Sequence, residues 1–249
     1  MSDHTHRIFY KEQEVSTFFS DNLHLAPMSW PTRKNLVKVD KDVDLALLGP
    51  LGCGIQTGSG TVLNKLKPEF GSTIAIYGCG AVGLSAVMAA KIAGCSKIIA
   101  IDVHDHRLEL AMELGATHAL NGKEVVDVVA QIKEMTNGGA HYAIETTGVP
   151  VVVRQSVQAL KNRGTVAIVG ATGEVMFNIH QDLMADGKTM VGVVEGDAVP
   201  QVFIPKLIEY YKRGQFPFNK LIKFYNFDEI NEAFEDSHTG KTVKPVLKM

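Results

Sequence analysis

The sequence predicts an α/β fold built on a doubly wound parallel sheet, with helices covering both faces. Three observations predict it. From about residue 72, short β-branched apolar runs alternate with longer segments whose apolar positions recur at helical spacing. The short runs are apolar throughout rather than alternating, as strands buried on both faces must be. A third observation is positional: a glycine-rich turn joins the first such run directly to the first helical segment.

Each element follows from this grammar. Thr73–Tyr77, Lys97–Ile101, Thr117–Leu120, His141–Glu145, Thr165–Val169 and Thr189–Val194 read as strands. Val82–Ala93, Arg107–Leu114, Glu124–Met135 and Val151–Leu160 read as the crossover helices, with Gly94, Gly115 and Gly138 at helix ends. Downstream, Pro200–Arg213 reads as an amphipathic helix, Leu221–Phe227 as a strand, Asp228–Asp236 as a helix and Val243–Leu247 as a last strand. No internal repeat or low-complexity linker interrupts the chain.

Composition narrows the partners. The 25 basic and 27 acidic residues nearly cancel, and no basic stripe offers a footprint for nucleic acid or an anionic membrane. A small neutral or weakly charged partner fits better. Three cysteines, at 53, 79 and 95, are too few and too scattered for a disulfide framework and suit a reducing compartment. No run approaches the roughly 18 apolar residues of a membrane span, and the start lacks the apolar stretch of a secretory signal. The chain reads as soluble and cytoplasmic.

The chemistry concentrates at Gly78-Cys79-Gly80-Ala81-Val82-Gly83. The pattern follows a strand and opens a helix, which is the context of a Rossmann dinucleotide loop. Gly78 permits the tight turn, Gly80 lets backbone approach a pyrophosphate, and Gly83 lets helix and strand pack closely. The helix N-terminus then offers free N–H donors to anionic oxygens. Asp102 ends the next strand, about 20 residues on, where a carboxylate accepts from ribose hydroxyls and repels a 2′-phosphate. NAD is therefore favoured over NADP. Arg107 either contacts the same ribose or belongs to a solvated helix face, and His104 and His106 read as surface polar residues.

Several motifs in order carry a family resemblance. Leu48-Gly-Pro-Leu-Gly-Cys-Gly-Ile-Gln-Thr-Gly58, the glycine loop, Ile101-Asp102, Glu145-Thr-Thr-Gly148 and Gly240-Lys-Thr-Val-Lys-Pro-Val-Leu together resemble the zinc-dependent medium-chain alcohol dehydrogenases. Gly192-Val-Val-Glu-Gly-Asp197 and Phe203-Ile-Pro-Lys-Leu-Ile-Glu209 are most similar to the aryl-alcohol (benzyl alcohol) branch. The resemblance covers residues 36 to 249. It implies that Cys53 is a ligand of a catalytic zinc, that Thr57 and Val82 hold the nicotinamide end, that Gly170 lies beside the nicotinamide pocket, and that Lys244 lies near the pyrophosphate. It also implies a domain order: a remnant of a GroES-like catalytic domain at 1–54, an NAD-binding Rossmann domain at 55–197, and a return to the catalytic domain at 198–249.

The same resemblance makes the front of the chain anomalous. A catalytic zinc needs three protein ligands and an open position, and the family's other ligands, an earlier cysteine and the histidine of a Gly-His-Glu motif, lie upstream of everything matched. Cys79 and Cys95 are expected to be buried packing cysteines. The chain thus reads as N-terminally truncated relative to the family. Between residues 20 and 34 the match vanishes. One back-translation of Ser20–Asn35, read in a shifted frame, spells GQSSFGTYVLAHEK, which is similar to the family sequence. That stretch is either frame-shifted or a divergent loop, and residues 1–35 are expected to be the least ordered.

Two functional readings follow. In one, the chain is an NAD-dependent zinc-type alcohol dehydrogenase that converts aryl or primary alcohols to aldehydes by hydride transfer, with zinc incompletely ligated. In the other, it is an NAD-binding module or truncated pseudoenzyme without hydride chemistry. Either version is expected to form a homo-oligomer through the sheet edge at Thr189–Val194.

Overall fold

The computed structural model describes residues 36–40 and 42–248, together with the backbone of two short strands, β1 (Ile8–Tyr10) and β2 (Gln13–Val15). These two strands pair antiparallel, with Ile8 opposite Val15, inside a unit that spans Met1–Asp40. The expectations of disorder over 1–35 and of a shifted frame over 20–34 fall outside the described residues, β1 and β2 apart. The second compact unit, Lys41–Met249, carries everything that follows.

That unit opens with a short helix α1 (Leu45–Leu48) and a longer one, α2 (Gly54–Gly60), which runs on as a π-helical segment over Thr61–Leu66. All seven residues of α2 are buried. Six strands then alternate with helices: β3 (Thr73–Tyr77), α3 (Ala81–Ile92), β4 (Lys97–Asp102), α4 (Asp105–Leu114), β5 (His118–Asn121), α5 (Val128–Met135), β6 (Ala140–Glu145), α6 (Pro150–Gln158), β7 (Leu160–Ile168) and β8 (Thr189–Gly192). All pair in parallel, in the spatial order β5-β4-β3-β6-β7-β8. This is the strand order of a Rossmann domain made of two mononucleotide-binding halves.

Burial explains why the strands lack alternation. Every residue of β3 is buried. On one face Ala75, Tyr77, Ile99 and Ile101 pack with Val128 and Ile132 of α5 and Val157 of α6. The other apolar residues of β3, Ile74 and Ile76, are equally enclosed, as are Leu84, Val87 and Met88 of α3. At roughly 1.5–3 kcal/mol for each large aliphatic side chain buried, this two-sided core dominates the stability.

Element boundaries moved where caps decided them. The third crossover helix begins at Val128 rather than Glu124, because the Asp127 side chain accepts from the Ala130 amide and fixes the start. The last helix, α8 (Ile230–His238), is preceded by a capping box of Asn226 and Glu229, so Asn226 rather than Asp228 sets the entry. Before it come α7 (Pro200–Lys212) and β9 (Ile222–Asn226), and after it β10 (Lys244–Lys248), which pairs with β9 in parallel. No helix among the described residues is long and apolar enough to cross a membrane.

Candidate functional site

The strand order reverses between β3 and its two neighbours, β4 and β6, and the loops at the C-terminal ends of these strands converge there. Such a switch point leaves a crevice where ligands of open α/β sheets bind. Gly78 leaves β3 with φ +90°, a left-handed conformation that disfavours a side chain. A Cβ on Gly83 would stand 1.7 Å from the Gly78 carbonyl oxygen, so the turn closes only with glycine at both positions. Gly80, by contrast, faces open space, with no atom within 4 Å of where its Cβ would stand. It caps α3, and no side chain bonds the first-turn amides of that helix. Free amides beside open space at a helix N-terminus fit a pyrophosphate.

Asp102 lies at the end of β4 beside this loop and is 8% exposed. Its Oδ2 accepts from the Cys79 amide at 2.6 Å, and its Oδ1 accepts from the amides of Val103 at 2.7 Å and His104 at 3.0 Å. The carboxylate therefore holds the glycine loop against β4. A carboxylate offers about four acceptor sites, so three backbone donors leave Oδ2 room for one ribose hydroxyl rather than two.

Arg107, one turn into α4, is half-buried, and a Cβ on Gly240 would stand 2.8 Å from its Nη2. Its Nε is buried with no hydrogen-bond partner. His106 is not simply solvated: its Nε2 lies 2.8 Å from the Gly240 carbonyl oxygen. The turn near Gly240 thus closes over the helix that follows Asp102.

Thr57 is buried in α2, and Val82 is half-buried at the start of α3. A Cβ on Gly58 would stand 1.9 Å from the Val82 carbonyl oxygen, so the two helices touch backbone to backbone. Gly170 brings the loop after β7 against the loop after β6, its Cβ position 2.3 Å from the Gly148 amide nitrogen.

Sequence reasoning missed Gln56 and Glu195. Gln56 Nε2 donates to Glu195 Oε2 and to the Gly52 carbonyl, both at 3.0 Å, and Thr57 Oγ1 lies 3.5 Å from the same carboxylate oxygen. Glu195 and Asp197 have φ of +49° and +48° around Gly196, a strained turn that docks on α2. Lys65 Nζ pairs with Asp197 at 2.8 Å and anchors its far end. No periodicity could have revealed these links, since Gln56 and Glu195 are far apart in sequence.

Cys53 is exposed just before α2. Partial burial pushes its thiol up, the Glu195 charge adds to that, and the Lys244 charge and the Gly54 amide oppose it. Lys244 therefore acts on the Cys53 end of the site. Cys79 is buried, as expected, and enclosure raises its thiol strongly. Cys95 is only half-buried, which corrects the expectation of full burial: it follows the turn at Gly94, at the rim of the sheet. Among the described residues no group of three or more His, Cys, Asp or Glu side chains could hold a metal ion. Cys53 alone does not fit a catalytic zinc.

The sheet order, the glycine loop at its switch point and the carboxylate beside it define the class, a protein with a Rossmann-type nucleotide-binding domain. The chain belongs to the zinc-binding dehydrogenases: the profile of that family matches residues 81–212, more than half of it. It is 44% identical over 215 residues to a geraniol dehydrogenase of Castellaniella defragrans, covering 86% of this chain and 58% of that protein. It superposes on a benzyl alcohol dehydrogenase of Acinetobacter calcoaceticus with a TM-score of 0.85 at 52% identity, covering 87% of this chain and 60% of the other. An alcohol dehydrogenase zinc-binding domain protein of Burkholderia ambifaria gives 0.84 at 52% identity, with 87% and 59% covered. The chain thus spans less than two thirds of the length of these relatives.

Proposed function

We propose that this chain binds NAD and carries the dinucleotide-binding part of an alcohol dehydrogenase of the zinc-dependent medium-chain type. The observation that carries the reading is the pairing of open, uncapped amides at Gly80–Gly83 with the Asp102 carboxylate at the neighbouring strand end. Gly78, Gly80 and Gly83 admit the pyrophosphate, Asp102 takes a ribose hydroxyl, and Arg107 packs beside it. Thr57, Val82 and Gly170 frame the nicotinamide end, and Lys244 supplies a positive charge between that end and the phosphates. The segments 1–54 and 198–249 belong in this reading to the catalytic domain and 55–197 to the NAD-binding domain.

The substrate class proposed is a small alcohol or its aldehyde, aryl or primary, supported by the benzyl alcohol and geraniol dehydrogenases named above. When bound, zinc would supply Lewis-acid polarisation of an alcohol oxygen and NAD would supply a hydride acceptor. Cys53 is the residue proposed to touch the metal, and the described residues do not complete its ligand set. The second reading, an NAD-binding module without turnover, is favoured by that one observation. Self-association through the β8 edge and a cytoplasmic location complete the proposal.

Thermal unfolding with and without NAD tests the cofactor reading. A ligand at about 100 times its Kd adds about 2.7 kcal/mol of stability, so the Tm rises by several degrees if NAD binds. No shift at millimolar NAD would sink it. Metal analysis and benzyl alcohol oxidation on the same protein separate the two readings. Stoichiometric zinc with turnover selects the enzyme, and NAD binding with neither selects the module.

A further inference from the structure

The C-terminal turn over α4 is held by an unusual device. Asp236 of α8 is 5% exposed, yet it is a carboxylate surrounded by donors. Its Oδ2 accepts from Tyr225 Oη at 2.6 Å and Lys223 Nζ at 2.9 Å, and its Oδ1 accepts from Lys241 Nζ at 2.9 Å. Tyr225 Oη also lies 2.8 Å from Thr242 Oγ1, and the Thr242 amide donates to the Asp236 carbonyl at 2.9 Å. Tyr225 and Thr242 are themselves buried. These donors hold the Asp236 carboxyl far below the usual carboxylate range.

Burying a carboxylate costs desolvation energy that an aliphatic side chain of similar size would not incur. Such a fully paired polar network specifies one arrangement where an apolar contact permits several. What it specifies is the turn from Thr239 to Thr242: Lys241 and Thr242 are tied to Asp236, and Gly240 just before them is presented to α4. There the Gly240 carbonyl meets His106, and the absent side chain of Gly240 makes room for the Arg107 guanidinium. Arg107 Nε is buried and bonds nothing, so contact with this turn contributes to fixing the side chain.

We propose that Asp236, through Tyr225 and Thr242, is a positioning residue for the adenosine half of the dinucleotide site: it sets the 239–242 turn that holds Arg107 beside Asp102. The inference rests on the NAD reading and extends it to residues well outside the Rossmann sheet. Lys223 and Lys241 are largely exposed, so their attraction to Asp236 is screened. The buried triad of Asp236, Tyr225 and Thr242 carries the effect.

The test is a double-mutant cycle on ADP-ribose affinity, measured by calorimetry on the full chain. D236N is expected to weaken ADP-ribose binding about five- to tenfold in the wild-type background and to have no further effect in R107A, because the two act through one contact. Y225F, which removes one hydroxyl, is expected to follow the same pattern with a smaller loss and keeps the test open should D236N fold poorly. Equal losses in both backgrounds, or unchanged affinity in both variants, overturn the inference while leaving the NAD reading intact. Wild-type protein that binds neither NADH nor ADP-ribose overturns both.

Discussion

At the scale of single residues, the site divides into groups that face a ligand and groups that hold those groups in place. Asp102 does both, since its oxygens tie down the Cys79 amide while leaving room for one hydroxyl donor. Its position was legible from spacing alone, but its backbone bonds were not, because they depend on how the loop folds back over β4. His141 gives a residue-level prediction of another kind. Its Nδ1 accepts from the Thr73 amide at 3.2 Å, and Lys161 Nζ lies 3.2 Å from Nε2, so a proton added to the ring would meet a like charge. Burial lowers its pKa and the Lys161 charge lowers it further. A folded-state value below the unfolded one gives stability that is present above the unfolded pKa of about 6.5 and lost as pH falls below it. Urea unfolding should therefore show wild-type stability falling between pH 7 and pH 5, with a shallower fall in H141Q. Identical slopes in the two proteins would contradict this account of His141.

At the scale of elements, the strands and crossover helices were legible because a two-sided parallel sheet leaves apolar runs and glycine stops in the sequence. The run Thr73–Tyr77 is buried at every position, and its bounds match the reading residue for residue. Ends set by side-chain caps shifted by a few residues, as at Asp127 and Asn226, since several nearby polar residues could each have served. The segment Glu195-Gly196-Asp197 was read as a family motif, but its strained conformation was not, because Gln56, Asn64 and Lys65 of a distant helical segment hold it. β8 is one of the two edge strands of the sheet, and Thr189, Met190 and Gly192 are exposed along it. An open parallel edge with an exposed methionine is a template for pairing. Light scattering should report a dimer or larger species, and M190K should shift it towards monomer by placing a charge on that edge. A wild-type monomer would remove the edge from consideration.

At the scale of the whole molecule, the Rossmann-type sheet is complete in the described residues, and no group of metal ligands accompanies it there. The compact unit Lys41–Met249 holds the full six-stranded sheet, the helix α3 that opens from the glycine loop, and the C-terminal turn that closes over α4. Only Cys53 stands where the family resemblance expects a zinc ligand, and it has no companions among the described residues. The family was legible from motif order because each motif answers a backbone requirement, as Gly83 answers the closeness of the Gly78 carbonyl. The Asp236 network was not, because a lone acidic residue in an amphipathic helix reads as solvated until the fold surrounds it with donors. The proposed NAD site lies at the β3 switch point and uses Asp102. It is tested most directly by calorimetric titration of the purified chain with NADH. Saturable binding at one NADH per chain is expected, weakened roughly ten- to hundredfold in D102A, the loss expected when a charged hydrogen-bonding group worth about 1.5–3 kcal/mol is removed. Absence of NADH binding, or equal affinity in wild type and D102A, would contradict it.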